Sequence, residues 1–185
     1  FILRWPYCEL ILVDDCSPDK NKTKDFFLSV KNRHANTKVF SFDKNKEYAE
    51  SVNCILCHAT GKKILFVSND VFITSYYLRA IMDISKKIPN FGTIRGVSNF
   101  VDNGSKLHNV DIKNEIKNID QINEFSKKIY EDKRLSFFEE KFLTGDVFLV
   151  NRQASILEYQ QVLLRQILRI QYCHEVFLEE NAHLL

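Results

Sequence analysis

The sequence predicts an α/β fold in which helices cover both faces of a mostly parallel sheet, and three observations predict it. Short β-favouring apolar runs at residues 10–13, 37–42 and 63–67 alternate with segments whose apolar residues recur at helical spacing. Strand, helix, strand, helix with these connection lengths is the pattern of parallel strands joined by covering helices. Two of the runs also stop abruptly in polar side chains, at Asp14 and Asp15 and again at Ser68, Asn69 and Asp70, as buried strands do at a sheet edge.

Taken in order, the first strand is the Leu-Ile-Leu-Val run at residues 10–13. Ser17, Pro18 and Asp19 then supply turn and cap chemistry for a helix over residues 21–32, with Phe26, Phe27 and Val30 at helical spacing. Residues 37–42 form the second strand. The following helix places Tyr48, Val52, Ile55, Leu56 and Ala59 on one face and stops at Gly61. The third strand is 63–67, and Thr74 or Ser75 caps a helix that runs to about Lys87, ahead of Pro89. Beyond Phe91 the order changes. A strand at 93–97, a long polar loop at 101–118, a polar helix from Ile119 to about Arg134, strand pieces at 142–150 and an amphipathic helix at 154–170 are expected. With 185 residues and neither repeat nor linker, residues 1–185 read as a single domain.

Composition narrows the function classes. The net charge is +2, with lysines and arginines dispersed and no basic block, which argues against a nucleic-acid partner. No apolar run approaches the roughly 20 residues that span a bilayer, and the opening residues lack the pattern of a signal peptide. Five cysteines without framework spacing suit reduced thiols. A cytoplasmic setting is expected, with a peripheral place at the inner face of the membrane left open.

Ligands of open α/β sheets bind outside the carboxyl ends of the strands, so Asp14, Asp15 and Asp70 are the first candidates for function. Asp14 and Asp15 acting only as turn caps is an equally simple reading. The stretch Glu-Leu-Ile-Leu-Val-Asp-Asp-Cys-Ser-Pro-Asp at 9–19 resembles the first signature of the family 2 glycosyltransferases: an apolar strand, an aspartate pair, a small residue, serine and a later aspartate. The stretch at 45–70, from Asn45 through Asn53 and Ala59-Thr60-Gly61 to Asp70, resembles the second. Trp5, Pro6 and Tyr7 look like the short segment that precedes that strand in the family. The two signatures stand in the right order at typical separation.

The resemblance implies a GT-A fold, a three-layer α/β/α sandwich that transfers a sugar from a nucleotide-diphosphate sugar to an acceptor hydroxyl with inversion. It implies work in cell-surface polysaccharide or glycan synthesis, with a glycan or lipid-linked acceptor. By matched position, Asp14 or Asp15 contacts the base or ribose, Asp19 and Asn69 belong to the donor side, and Asn45 and Asn53 line the donor pocket. Asp70 matches the last aspartate of the D-x-D motif that holds Mg2+ or Mn2+ on the diphosphate, where the cation neutralises charge and takes only one or two protein carboxylates. Residues 174–181 loosely resemble the stretch that carries the family's base; Glu180 is the favoured candidate and Glu179 the next, and the plain reading of both is a solvated pair. Thr144, Gly145 and Asp146 resemble the segment beside the acceptor pocket, although Gly145 equally suits a simple turn.

The chain also departs from that pattern. Ser68 and Asn69 stand where the D-x-D motif begins, Glu47 and Cys16 stand where the family usually has glycine, and the family's first strand has no counterpart before Phe1. The chain therefore reads as truncated at its start and at its end, and the alternative is a degenerate, non-catalytic GT-A domain that binds or assembles. Cys54, Cys57 and His58 spell the attachment motif of c-type haem, but they fall inside the helix of the second signature, with no second closely spaced Cys-Cys or His-His pair to complete a zinc site. His34 and His108 read as surface residues, and of Tyr76 and Tyr77 at least one reads as core.

Overall fold

The computed structural model describes residues 8–97, 118–133, 136–139, 143 and 145–153. They fall into two compact units that divide between Ile64 and Leu65.

In the first unit, β1 (Leu10–Asp14) pairs in parallel with β2 (Thr37–Ser41), Leu10 lying opposite Thr37 and Asp14 opposite Ser41. Between them runs α1 (Lys20–Arg33), whose Asp19 cap accepts the Lys22 amide at 3.1 Å and whose last turn carries Lys31 and Arg33, the charge sign that a helix C-terminus favours. The backbone ladder continues past both strand ends: the Leu10 amide donates to the Asn36 carbonyl and the Phe42 amide to the Asp14 carbonyl, each at 2.9 Å. Next comes α2 (Glu47–His58), which buries Val52 and Leu56, one turn apart, and is followed by buried Ala59.

Two expectations, the burial of the first strand and the exposure of His34, need correction here. Leu10 to Val13 are half-buried, and it is Asp14 that is buried, at 6% exposure. Phe26 is 58% exposed because α1 turns only Val30 fully inward, and Tyr48 reaches solvent at the first turn of the α2 stripe that buries Val52 and Leu56. His34, read as a surface residue, is buried at the C-terminal cap of α1. Its Nδ1 lies 3.3 Å from the Thr37 hydroxyl, which donates to the His34 carbonyl at 2.6 Å.

The chain crosses the division in β3 (Lys63–Val67), and the second unit continues with α3 (Ser75–Lys87), β4 (Thr93–Ile94), α4 (Ile119–Lys133) and β5 (Val147–Asn151). The strand order is β3-β5-β4, with β5 antiparallel to β4. This sheet is small and its β4–β5 pair is antiparallel, where a mostly parallel sheet was expected. Val147, Phe148, Leu149 and Val150 are all buried, the continuous apolar run of a strand covered on both faces. Leu149 packs with Leu78, Ile81 and Phe91, and the Phe148 ring stacks on Phe66 with centroids 4.6 Å apart.

Thr74 is the cap of α3, its hydroxyl accepting the Tyr77 amide at 3.0 Å. The polar helix α4 buries no residue and docks on α3 through polar and aromatic contacts: Tyr130 donates to Asp83 at 2.8 Å, its ring meets Tyr76, and the Ser126 and Thr74 hydroxyls bond. The strand expected over 93–97 keeps only its first two residues. Gly96 gives its amide to the Tyr77 hydroxyl at 2.9 Å instead of to a neighbouring strand, which ends the ladder. The expected loop after residue 101, apart from Asn118, and the helix at 154–170 lie outside the described residues.

Candidate functional site

In the first unit the candidate residues gather in the loops after β1 and β2. Asp14 accepts the Ser17 amide at 3.0 Å, a side-chain-closed turn that holds the start of the post-β1 loop. Asp15 reaches further. Its Oδ1 accepts the Lys46 amide at 2.7 Å, so one carboxylate joins the loop after β1 to the loop that opens α2. Asn45, beside that bond, accepts the Glu47 amide at 2.8 Å and is exposed. Asp19 is exposed and occupied with α1, capping it and pairing with the Lys22 ammonium at 2.8 Å. Asn53 is half-buried within α2. Asp14, Asp15 and Asn45 are thus brought to one loop cluster.

Two backbone outliers flank this cluster. Cys16 has φ 64° and Glu47 has φ 69°, left-handed conformations that favour glycine, and these are the two positions where glycine is usual in the resembling family. Both loops therefore keep a glycine-type path with other side chains on it.

The second unit holds the remaining candidates. The Ser68 amide donates to the Asp146 carbonyl at 2.8 Å, and the turn closes with the Val71 amide on the Ser68 carbonyl at 3.2 Å, which leaves Asn69 and Asp70 exposed at its tip. The Asp146 carboxylate is gripped by Arg95: Nε donates to Oδ1 at 3.0 Å, and Nη2 lies 2.8 Å from each oxygen. Arg95 also donates from Nη1 to the Gly96 carbonyl at 2.8 Å. Tyr77 stands beside the pair. Burial pushes its phenol up to about 12, outweighing the Gly96 amide and the Arg95 charge, which pull it down. Of the two tyrosines, Tyr77 is thus the one packed into the interior, against the Leu78–Leu149 cluster. Gly145 is half-buried, and Thr144, Glu179 and Glu180 lie outside the described residues.

Arg95 was not found by sequence reasoning. The available signal was a single arginine inside an otherwise apolar and small-residue stretch, Thr-Ile-Arg-Gly-Val, where a charge needs a buried partner. Glu9 was also missed as an anchor: it accepts the Thr60 amide at 2.8 Å and pairs with Lys38 at 2.6 Å. The haem-like triplet is explained within α2. His58 Nδ1 donates to the Cys54 carbonyl at 2.7 Å and its ring packs on Phe40, while burial, and then the nearby Cys57, raise the Cys54 thiol. Raised thiols are poor nucleophiles and ligands at neutral pH.

Among the described residues no group of three or more His, Cys, Asp or Glu side chains could hold a metal by itself. Asp70 still fits a cation carried on a diphosphate, which needs only one or two protein carboxylates because phosphate oxygens complete the shell.

The chain matches the family model described as Glycosyl transferase family 2 over residues 2–156. It belongs to that family. No curated protein and no solved structure matches it. Membership of the family implies the GT-A type of fold, glycosyl transfer, and nucleotide-sugar and acceptor substrates. The matched span includes every candidate residue of both units and stops short of Glu179 and Glu180. No helix among the described residues of this glycosyltransferase is long and apolar enough to cross a membrane.

Proposed function

We propose that this glycosyltransferase carries a sugar from a nucleoside-diphosphate donor to an acceptor hydroxyl with inversion, in the synthesis of a cell-surface polysaccharide or glycan. The observation that carries the reading is the turn after β3: its base is fastened to Asp146 while the Asp70 carboxylate stands exposed at its tip. Asp14, Asp15 and Asn45 form the nucleoside side, with Asn53 lining the donor pocket. Asp70 would hold Mg2+ or Mn2+ together with the diphosphate, and that cation would supply the positive charge that offsets the leaving group.

In the reaction, Glu180, or Glu179 beside it, takes the proton of the acceptor hydroxyl. The hydroxyl oxygen attacks the anomeric carbon from the face opposite the diphosphate, the carbon–oxygen bond to the phosphate breaks, and the electron pair leaves with the nucleotide.

The test is a thermal shift across UDP, GDP and dTDP with Mn2+. A ligand at 100 times its Kd stabilises by about 2.7 kcal/mol. The parent should melt higher with one of these nucleotides, and Asp70→Ala should lose the metal-dependent part of the shift. No shift with any of them refutes the donor reading, and an unchanged shift in Asp70→Ala removes Asp70 from the metal role.

A further inference from the structure

We infer that Arg95 is a positioning residue: through Asp146 it fixes the Ser68–Asn69–Asp70 turn in the conformation that presents Asp70. The inference rests on the reading of that turn as the diphosphate side of a glycosyl-transfer site.

The chain of contacts is short. The Arg95 side chain is 1% exposed and that of Asp146 30%, so a nearly dry guanidinium holds a carboxylate that still meets solvent on one side. Three donor contacts of 2.8–3.0 Å fix both carboxylate oxygens. A fourth Arg95 bond, to the Gly96 carbonyl, ties the guanidinium to its own strand end, and Gly96 is tied in turn to Tyr77 on α3. With its side chain clamped, Asp146 has one orientation in which to offer its carbonyl, and that carbonyl receives the Ser68 amide.

Stability alone does not account for such a pair. Taking two charges out of water costs about as much as their attraction returns, and apolar replacements of similar volume are often neutral or stabilising. What an arginine fork adds is direction, because its planar donors admit a carboxylate in one geometry, which a lysine ammonium does not impose. The pair stands where β4 ends and β5 begins, and the carbonyl of its Asp146 receives the first amide of the turn that carries the exposed carboxylate.

The test compares the full chain with Arg95→Lys and with the double variant Arg95→Met/Asp146→Leu, which leaves no orphaned charge and so retains the fold. Amide hydrogen exchange at Ser68 and Val71 should quicken about tenfold or more in the double variant, equivalent to about 1.4 kcal/mol of lost local protection, while Leu78 and Leu149 keep theirs. With an active donor, kcat/KM should fall roughly 10- to 100-fold, the scale of a misplaced reacting group, with Arg95→Lys in between. Unchanged exchange at Ser68 and Val71 overturns the inference. Protection lost equally at Leu78 and Leu149 also overturns it, because the pair would then act on the whole unit. Release of Ser68 and Val71 by the double variant, in a parent whose melting is not raised by UDP, GDP or dTDP with Mn2+, refutes the donor reading and upholds the positioning.

Discussion

At Cys16, replacing an alanine by a glycine should stabilise the protein, the reverse of the usual effect. The comparison is between Cys16→Ala and Cys16→Gly. At a residue with ordinary negative φ, the glycine variant is the weaker by about 0.5–1 kcal/mol, because the unfolded glycine chain has more freedom to lose. Cys16 sits at φ 64°, where a Cβ costs roughly 1–2 kcal/mol. Subtracting the midpoint of the first range from that of the second leaves Cys16→Gly more stable than Cys16→Ala by about 0.75 kcal/mol. Both variants lose the long Cys16 Sγ contact to the Asp43 carbonyl at 3.4 Å, so it cancels. For a chain of this size the difference is about 1–4 °C in melting temperature, and urea denaturation gives it as free energy directly. A glycine variant less stable than the alanine variant would refute the reasoning, since it would mean that position 16 does not hold the left-handed conformation. Glu47, at φ 69°, should show the same sign between Glu47→Gly and Glu47→Ala, since both variants lose the carboxylate that favours the helix N-terminus and it cancels.

Two further outcomes follow from contacts elsewhere. Burial pushes the Glu9 carboxyl up, but the Lys38 and Thr60 hydrogen bonds and the Lys38 charge outweigh it and hold the group below its ordinary value. The unfolded chain then binds more protons in that interval, so the Glu9 contribution is present above the unfolded glutamate value of about 4.3 and is lost as pH falls through the folded one. The stability difference between parent and Glu9→Gln should be constant above about pH 5 and shrink on acidification; a difference independent of pH would contradict it. At Gly96, a Cβ would lie 2.8 Å from Tyr77 Cζ, inside contact distance, so Gly96→Ala must displace a buried ring and should cost about 1–3 kcal/mol in denaturant titration. A variant as stable as the parent would show that the ring has room to yield.

Local patterning carried most of the elements. The helices α1, α2, α3 and α4 and the strand β3 stand where periodicity and caps put them, down to Thr74 as the cap of α3, because these features depend on residues a few positions apart. The two glycine-type positions, 16 and 47, were visible from the family resemblance, and the backbone bears out the conformation they demand. Features that depend on distant partners were not legible. Arg95 and Asp146 are 51 residues apart, so nothing beside Arg95 in the chain announces its partner. The same contact network cut the expected strand at 93–97 to two residues, and the antiparallel β4–β5 pairing depends on a return of the chain that periodicity does not encode. His34 lies buried where a surface place was expected for a related reason: polarity sets a tendency to be exposed, while the packing of α1 decides which side chains are covered.

The strand order β3-β5-β4 sets a schedule for the nascent chain. β5 lies between two strands made earlier, and it leaves the ribosome only after α3, β4 and α4. Until it arrives, β3 and β4 have no strand between them and Phe66 lacks the ring of Phe148 on which it stacks. Non-local pairing of this kind is slow, and an unpaired apolar edge is prone to aggregation while it waits. The second unit is therefore a late-closing one, whose yield in a cell depends on how long the emerging chain is shielded before Val147 is translated.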